Sequence, residues 1–194
     1  MRTRFLLIGT VVCAMVLFAW QSLSNAALPW HEKTLSAFTD PAAVVRVVQA
    51  NASRNGVYVA PEGLVAAVSF VPGVADKSKE MTGMLARQMA IDLATALLLC
   101  LLVLRLPPGP AKRTGTTLGL AGLATALVIA LSDWNWYGFA GTYEIVNVID
   151  HTIQWMIAGL LLGWLYNRGR RMASAGGGEL PAFDSRREAA LSRR

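Results

Sequence analysis

The sequence predicts an α-helical membrane protein, a four-transmembrane-helix bundle with a small extracytoplasmic helix-plus-hairpin cap. Three observations predict it. Of 194 residues, 54% are apolar and only 15% charged, against about 25% charged in an ordinary soluble domain. The apolar residues come in four long runs, each close to the ~20 residues a helix needs to cross a hydrocarbon core. The net charge of +6 gathers at the ends of those runs, as the positive-inside pattern requires and as a nucleic-acid surface does not. A disordered chain is excluded, and a freely soluble globular enzyme is disfavoured.

The first run, residues 5–23, opens the domain 1–23 behind Arg2 and Arg4. It also has the layout of a secretory signal, with a basic start and the small residues Ser24-Asn25-Ala26 at cleavage spacing. The run is long for a signal, so a retained anchor is expected; cleavage would leave three spans with the same orientation.

Residues 24–83 form the expected α/β cap. Thr39-Asp40-Pro41 is a helix start, with a capping side chain followed by proline where its missing N–H costs nothing. A short amphipathic helix over 41–51 follows, with Val44, Val45, Val47 and Val48 as its apolar face. Asn55-Gly56 marks a turn. The β-branched runs 57–60 and 64–71 flank Pro61-Glu62-Gly63 as a hairpin, which Pro72-Gly73 ends. Such a unit is too small to stand alone, so it is expected to pack on the outer ends of the spans.

Residues 84–166 supply the other three spans, at 84–104, 117–136 and 145–166. In lipid each must be helical, because only a helix satisfies its backbone within one segment. The third carries Gly115, Gly119, Gly122 and Ala126 on one face, and the fourth carries Gly159 and Gly163. Small faces of this kind let helices approach closely, within the bundle rather than between copies. Residues 167–194 hold seven arginines, three acids and Gly176-Gly177-Gly178, a composition expected to form a disordered basic cytoplasmic tail held to anionic head groups.

Arg105, Lys112 and Arg113 lie between the second and third spans, and Arg168, Arg170 and Arg171 follow the fourth. The 132–144 loop has no Lys or Arg. Both termini are therefore expected in the cytoplasm.

Chemistry is sparse. Cys13 and Cys100 stand alone in apolar runs, with no C-x-x-C, so a thiol–disulfide relay has no basis. The fourth span carries Glu144, Asn147, His151 and Gln154 at three- and four-residue spacing, one helical stripe, with Asp150 pointing about a quarter-turn away. The second carries Gln88, Asp92 and Thr95 on one face. Polar groups inside spans face the bundle interior, and similar depth allows an Asp92–His151 contact, the pairing this reading puts to the test. His31, on the same outer side, is the other histidine. Two histidines near one membrane face admit haem or a metal, but the signal is weak and a hydrogen-bonded structural role is the expected one. Asp133, Trp134, Asn135 and Trp136 close the third span. The rings fit an aromatic belt that also takes in Trp20, Trp30, Tyr137 and Tyr143 outside and Trp164 and Tyr166 inside. The alternative is an aromatic-walled pocket for a lipid or quinone.

Leu28-Pro29-Trp30-His31, Phe38-Thr39-Asp40, Gly56-Val57-Tyr58-Val59 with Pro61, and Trp134-Asn135-Trp136-Tyr137-Gly138-Phe139 resemble a family of small bacterial multi-pass inner-membrane proteins. The likeness covers most of the chain except the tail. It implies a bacterial inner-membrane setting, a hairpin in the long loop and one surface formed by the outer motifs; it implies no activity, ligand or catalytic residue. The expected role is an accessory or interaction protein without catalysis and without a cofactor, its partners the lipid bilayer and another membrane protein. The alternative is an outer-leaflet site for a small ligand, quinone, haem or proton, built on Asp92 and His151.

Overall fold

A computed structural model describes residues 2–61, 63–68 and 77–176. The chain forms α1 (Arg2–Ala26), a 3-10 turn (Glu32–Thr34), α2 (Pro41–Asn51), β1 (Gly56–Ala60), β2 (Leu64–Val68), α3 (Lys77–Val103), α4 (Ala111–Tyr137) and α5 (Gly141–Gly176). Among the described residues, α1, α4, most of α3 and most of α5 are long and apolar enough to cross a membrane. The arrangement is compatible with a helical bundle.

Each long helix outruns its apolar stretch, because a helix needs no apolar residue to continue past the hydrocarbon. α5 is the extreme case. Its 36 residues span about 54 Å at ~1.5 Å per residue, well beyond a ~30 Å core. The expected break at Tyr166 is therefore corrected: Asn167 to Gly176 continue the helix, and the disordered-tail expectation now concerns only residues 177–194, which lie outside the described residues. α4 stops where Gly138 adopts φ +68°, a left-handed cap that costs glycine nothing, and its N–H reaches the Trp134 carbonyl at 3.2 Å. The short 138–140 connection then forces α5 antiparallel to α4.

α1 lies between α3 and α5. A Cβ on Gly9 would come 2.9 Å from Cys100 Sγ and 3.4 Å from Leu162, so both neighbours press on one small residue. Cys13, Ala14, Leu17, Leu99, Cys100 and Leu162 form the buried core around this seam. α4 packs on the other side of α5 through glycine. A Cβ on Gly159 would sit 2.8 Å from the Gly115 Cα and the Thr114 carbonyl, and one on Gly122 would sit 2.7 Å from Trp155 Cβ. The expectation that these small faces serve packing inside the bundle holds. Antiparallel pairings along α1–α3, α1–α5 and α4–α5 bring Arg2, Arg4, Arg105, Lys112, Arg113, Arg168, Arg170 and Arg171 to one end. No acid accompanies them among the described residues.

The segment between α1 and α3 forms the expected elements. Asp40 caps α2, its Oδ1 accepting from Ala43 N–H at 3.0 Å, and Pro41 opens the helix. β1 and β2 pair antiparallel from Gly56↔Val68 to Ala60↔Leu64, with Gly63 at φ +91° in the turn. Glu62, the 69–71 end of the second run and Pro72-Gly73 lie outside the described residues. These elements bury little: α2 has no buried residue, and Val57, Val59 and Leu64 of the hairpin are exposed. Where this segment does meet the long helices is at its start, through Trp30 and His31.

Candidate functional site

The polar side chains of α1 and α5 converge at the end opposite the basic one, where the chain leaving α1 folds back. Trp20, Gln21 and Ser24 occupy the last turns of α1, and Leu28-Pro29 redirects the backbone so that Trp30 and His31 return over them. His31 Nε2 lies 3.3 Å from Asp150 Oδ2 on α5, and Trp20 Nε1 donates to Asp150 Oδ1 at 2.7 Å. Both oxygens of one carboxylate are thus used, by groups from α1 and from the loop. Ser24, fully buried, is 3.2 Å from His31 Nε2 and accepts from Trp30 Nε1 at 3.0 Å. The result is a polar clasp that fixes the 30–34 turn to two helices.

Beside the clasp lies an open cleft of about 480 Å³, lined by Gln21, His31, Tyr143, Asn147, Asp150 and His151, among others. Gln154, 8% exposed, closes its inner side and donates from Nε2 to the Leu17 carbonyl of α1 at 3.3 Å. Four of the expected residues, His31, Asn147, His151 and Gln154, therefore do meet at one cleft.

The expected Asp92–His151 contact is not formed. Asp92 is 2% exposed and faces α1, where its Oδ1 accepts from Gln21 Nε2 at 3.0 Å and from Gln88 Nε2, one turn back on α3, at 3.1 Å. His151 instead faces α4. Its Nε2 lies 3.4 Å from Thr125 Oγ1, and its ring packs on Trp155 with centroids 5.1 Å apart. The reason is the order of the helices. α5 has α1 on one flank and α4 on the other, so Asp150 and Gln154, four apart, address α1, while His151 and Trp155, also four apart, address α4.

The end of α4 is separate. Glu144 is buried with Asn147 and Asp133 as its polar neighbours. Trp134, Asn135 and Trp136 are exposed and do not line the cleft. The aromatic wall expected of Trp134 and Trp136 is supplied in part by Tyr143. Asp150, Trp20, Gln21 and Ser24 were not among the expected site residues. Asp150 carried a signal, since an acid inside a span requires a partner.

Among the described residues no three His, Cys, Asp or Glu side chains group as metal ligands. His31 and His151 share the cleft but are held by different partners, Asp150 and Ser24 for one and Thr125 for the other. The arrangement can bind polar groups by hydrogen bonding and can hold the loop in place; Ser24 and Asp150 meet the same His31 nitrogen, Nε2, rather than opposite sides of the imidazole.

The fold and the cleft define a class: a mostly helical protein with four helices long and apolar enough to cross a membrane and a polar clasp at one end. Comparison with family models, with curated proteins and with solved structures gives no match.

Proposed function

We propose that the chain is a multi-pass protein of the bacterial inner membrane that acts as an accessory or interaction protein, with its basic end in the cytoplasm. Orientation rests on the eight basic residues named above, which gather at one end without an acid beside them. The role rests on one observation. The segment between α1 and α3 folds yet leaves apolar side chains uncovered: Val57 and Val59 are 65% and 71% exposed on one hairpin face, opposite Ala67 and Val65, and Val45 and Val47 of α2 are exposed as well. Lipid accounts for the exposed leucines of the spans, whereas apolar patches outside the bilayer mark interaction surfaces. A two-stranded hairpin is marginal in water and is stabilised when another surface covers it.

Photo-crosslinking from position 59 in intact membranes, followed by purification in mild detergent, tests this role. A stoichiometric protein partner, lost in Val57→Asp/Val59→Asp while membrane insertion is retained, is the expected result. An isolated monomer carrying a bound chromophore overturns it.

A second reading, a small-ligand site, is favoured by the cleft itself, where Gln21, Asn147 and His151 add polar groups beside the His31–Asp150 pair. Its test is the optical spectrum of the purified protein, which reveals haem at once, followed by extraction and mass spectrometry for a quinone or lipid. Absence of all of these, with no flux into liposomes, removes this reading.

A further inference from the structure

The opposite, basic end holds a groove of about 530 Å³ between α1 and α5 that the proposed role does not use. Its floor is apolar. Phe5 and Tyr166 meet edge to face with centroids 5.2 Å apart, joining the two helices, and Ile8 and Leu165 also line it. Its rim is cationic, with Arg4 from α1 and Arg168 from α5.

Two features shape it. Gly169 lines the groove without a side chain, and a Cβ there would meet nothing within 4 Å. Arg168 lies over the Trp164 ring four residues back, 5.4 Å from its centroid, which orders the guanidinium at little entropic cost. The electrostatics of this end are one-sided. Arg113 is taken up by the Pro107 and Pro108 carbonyls, and neither Arg4 nor Arg168 pairs with an acid among the described residues.

We propose that this groove binds an anionic phospholipid, its phosphate between Arg4 and Arg168 and an acyl chain along Phe5, Ile8 and Leu165. The two demands lie at the right separation. Arg4 and Ile8 are one helical turn apart, about 6 Å along the axis, so charge and apolar floor meet as they do where a head group joins its chains. Guanidinium groups suit phosphate because they donate two parallel hydrogen bonds, and basic pockets between spans on the cytoplasmic side favour anionic head groups. A zwitterionic lipid brings its own ammonium to the same place, which two unpaired arginines repel. A soluble anion leaves the apolar floor uncovered.

The test uses the full chain in a mild detergent, with thermal midpoint and retained lipid as readouts. Phosphatidylglycerol is compared with phosphatidylcholine and with glycerol phosphate. Phosphatidylglycerol is expected to raise the midpoint saturably and to co-purify. Arg4→Ala and Arg168→Ala should each weaken it roughly fivefold, the equivalent of about 1 kcal/mol per basic residue. Arg4→Lys/Arg168→Lys should keep most of the preference, and Arg105→Ala, outside the groove, should change nothing. Gly169→Leu fills the slot with both arginines in place, so it should weaken lipid retention and leave the unliganded midpoint intact. Equal response to phosphatidylcholine, undiminished binding in Arg4→Ala/Arg168→Ala, or a full shift from glycerol phosphate alone overturns the proposal.

Discussion

His31 and Asp150 are separated by 119 positions in the chain, and their Nε2 and Oδ2 atoms lie 3.3 Å apart. The same carboxylate holds Trp20 at 2.7 Å, so one acid joins α1, α5 and the turn that follows α1. Asp150→Ala leaves the Trp20 indole N–H without its acceptor in a partly buried setting and His31 Nε2 with Ser24 alone. A stranded buried donor costs about 1–3 kcal/mol. Asp150→Ala should therefore lower the thermal midpoint in detergent clearly, and Asp150→Asn, which keeps an acceptor oxygen, by less. In a cycle with His31→Ala the two losses should not add. Strict additivity would show that the pair does not act as a unit.

The four long apolar helices, the Asp40 cap, the hairpin and the glycine faces were legible because each is written in local spacing. Apolar length, a side chain at a helix start and small residues four apart need no knowledge of neighbours. The pairing of polar side chains is different. Glu144, Asn147, His151 and Gln154 lie close enough in angle to pass for one stripe, yet α5 is flanked by two helices and divides them. His151 goes to Thr125 on one side and Gln154 to Leu17 on the other. Periodicity gives an angle around a helix but not which neighbour stands there. Depth alone made Asp92 and His151 partners, and the position of α1 between α3 and α5 separates them. The length of α5 escaped for another reason: the arginines, Met172 and the alanines that follow Tyr166 continue a helix readily in water, and hydropathy does not register that.

Glycine contacts predict where added bulk matters. Gly159→Ala places a methyl group 2.8 Å from the Gly115 Cα and the Thr114 carbonyl. Both are backbone atoms, which cannot rotate away. Overpacking of this kind costs about 1–3 kcal/mol. Gly169→Ala meets nothing within 4 Å and should be neutral or slightly stabilising, since alanine is the better helix former by up to ~1 kcal/mol. Thermal unfolding of the two variants in one detergent checks the contrast. Equal behaviour would mean that α4 and α5 are not in close contact at Gly159.

The proposed orientation predicts labelling. Cysteines introduced at Ser53 and Gly138 should react with an impermeant thiol reagent from outside, and one at Gly109 only from the cytoplasmic side. Native Cys13 and Cys100 are buried and should stay silent, so neither needs removal. Labelling at Gly109 from outside would reverse the assignment of the basic end.

Asp92 supplies the sharpest test of helix order. Its Oδ1 accepts from Gln21 across the α1–α3 seam at 3.0 Å and from Gln88 at 3.1 Å, and His151 is turned toward α4. Polar pairs between spans couple by about 0.6 kcal/mol on average and up to ~1.7. Asp92→Ala leaves two amide N–H donors without their acceptor, whereas Asp92→Asn keeps an oxygen in place, so the alanine variant should be the less stable. The Gln21→Ala/Asp92→Ala cycle should show coupling in that range. The Asp92→Ala/His151→Ala cycle should add within about 0.5 kcal/mol, as independent sites do. Both cycles can be read from thermal midpoints in one detergent. Coupling in the second with additivity in the first would place α3 against the histidine face of α5 and displace α1 from between them.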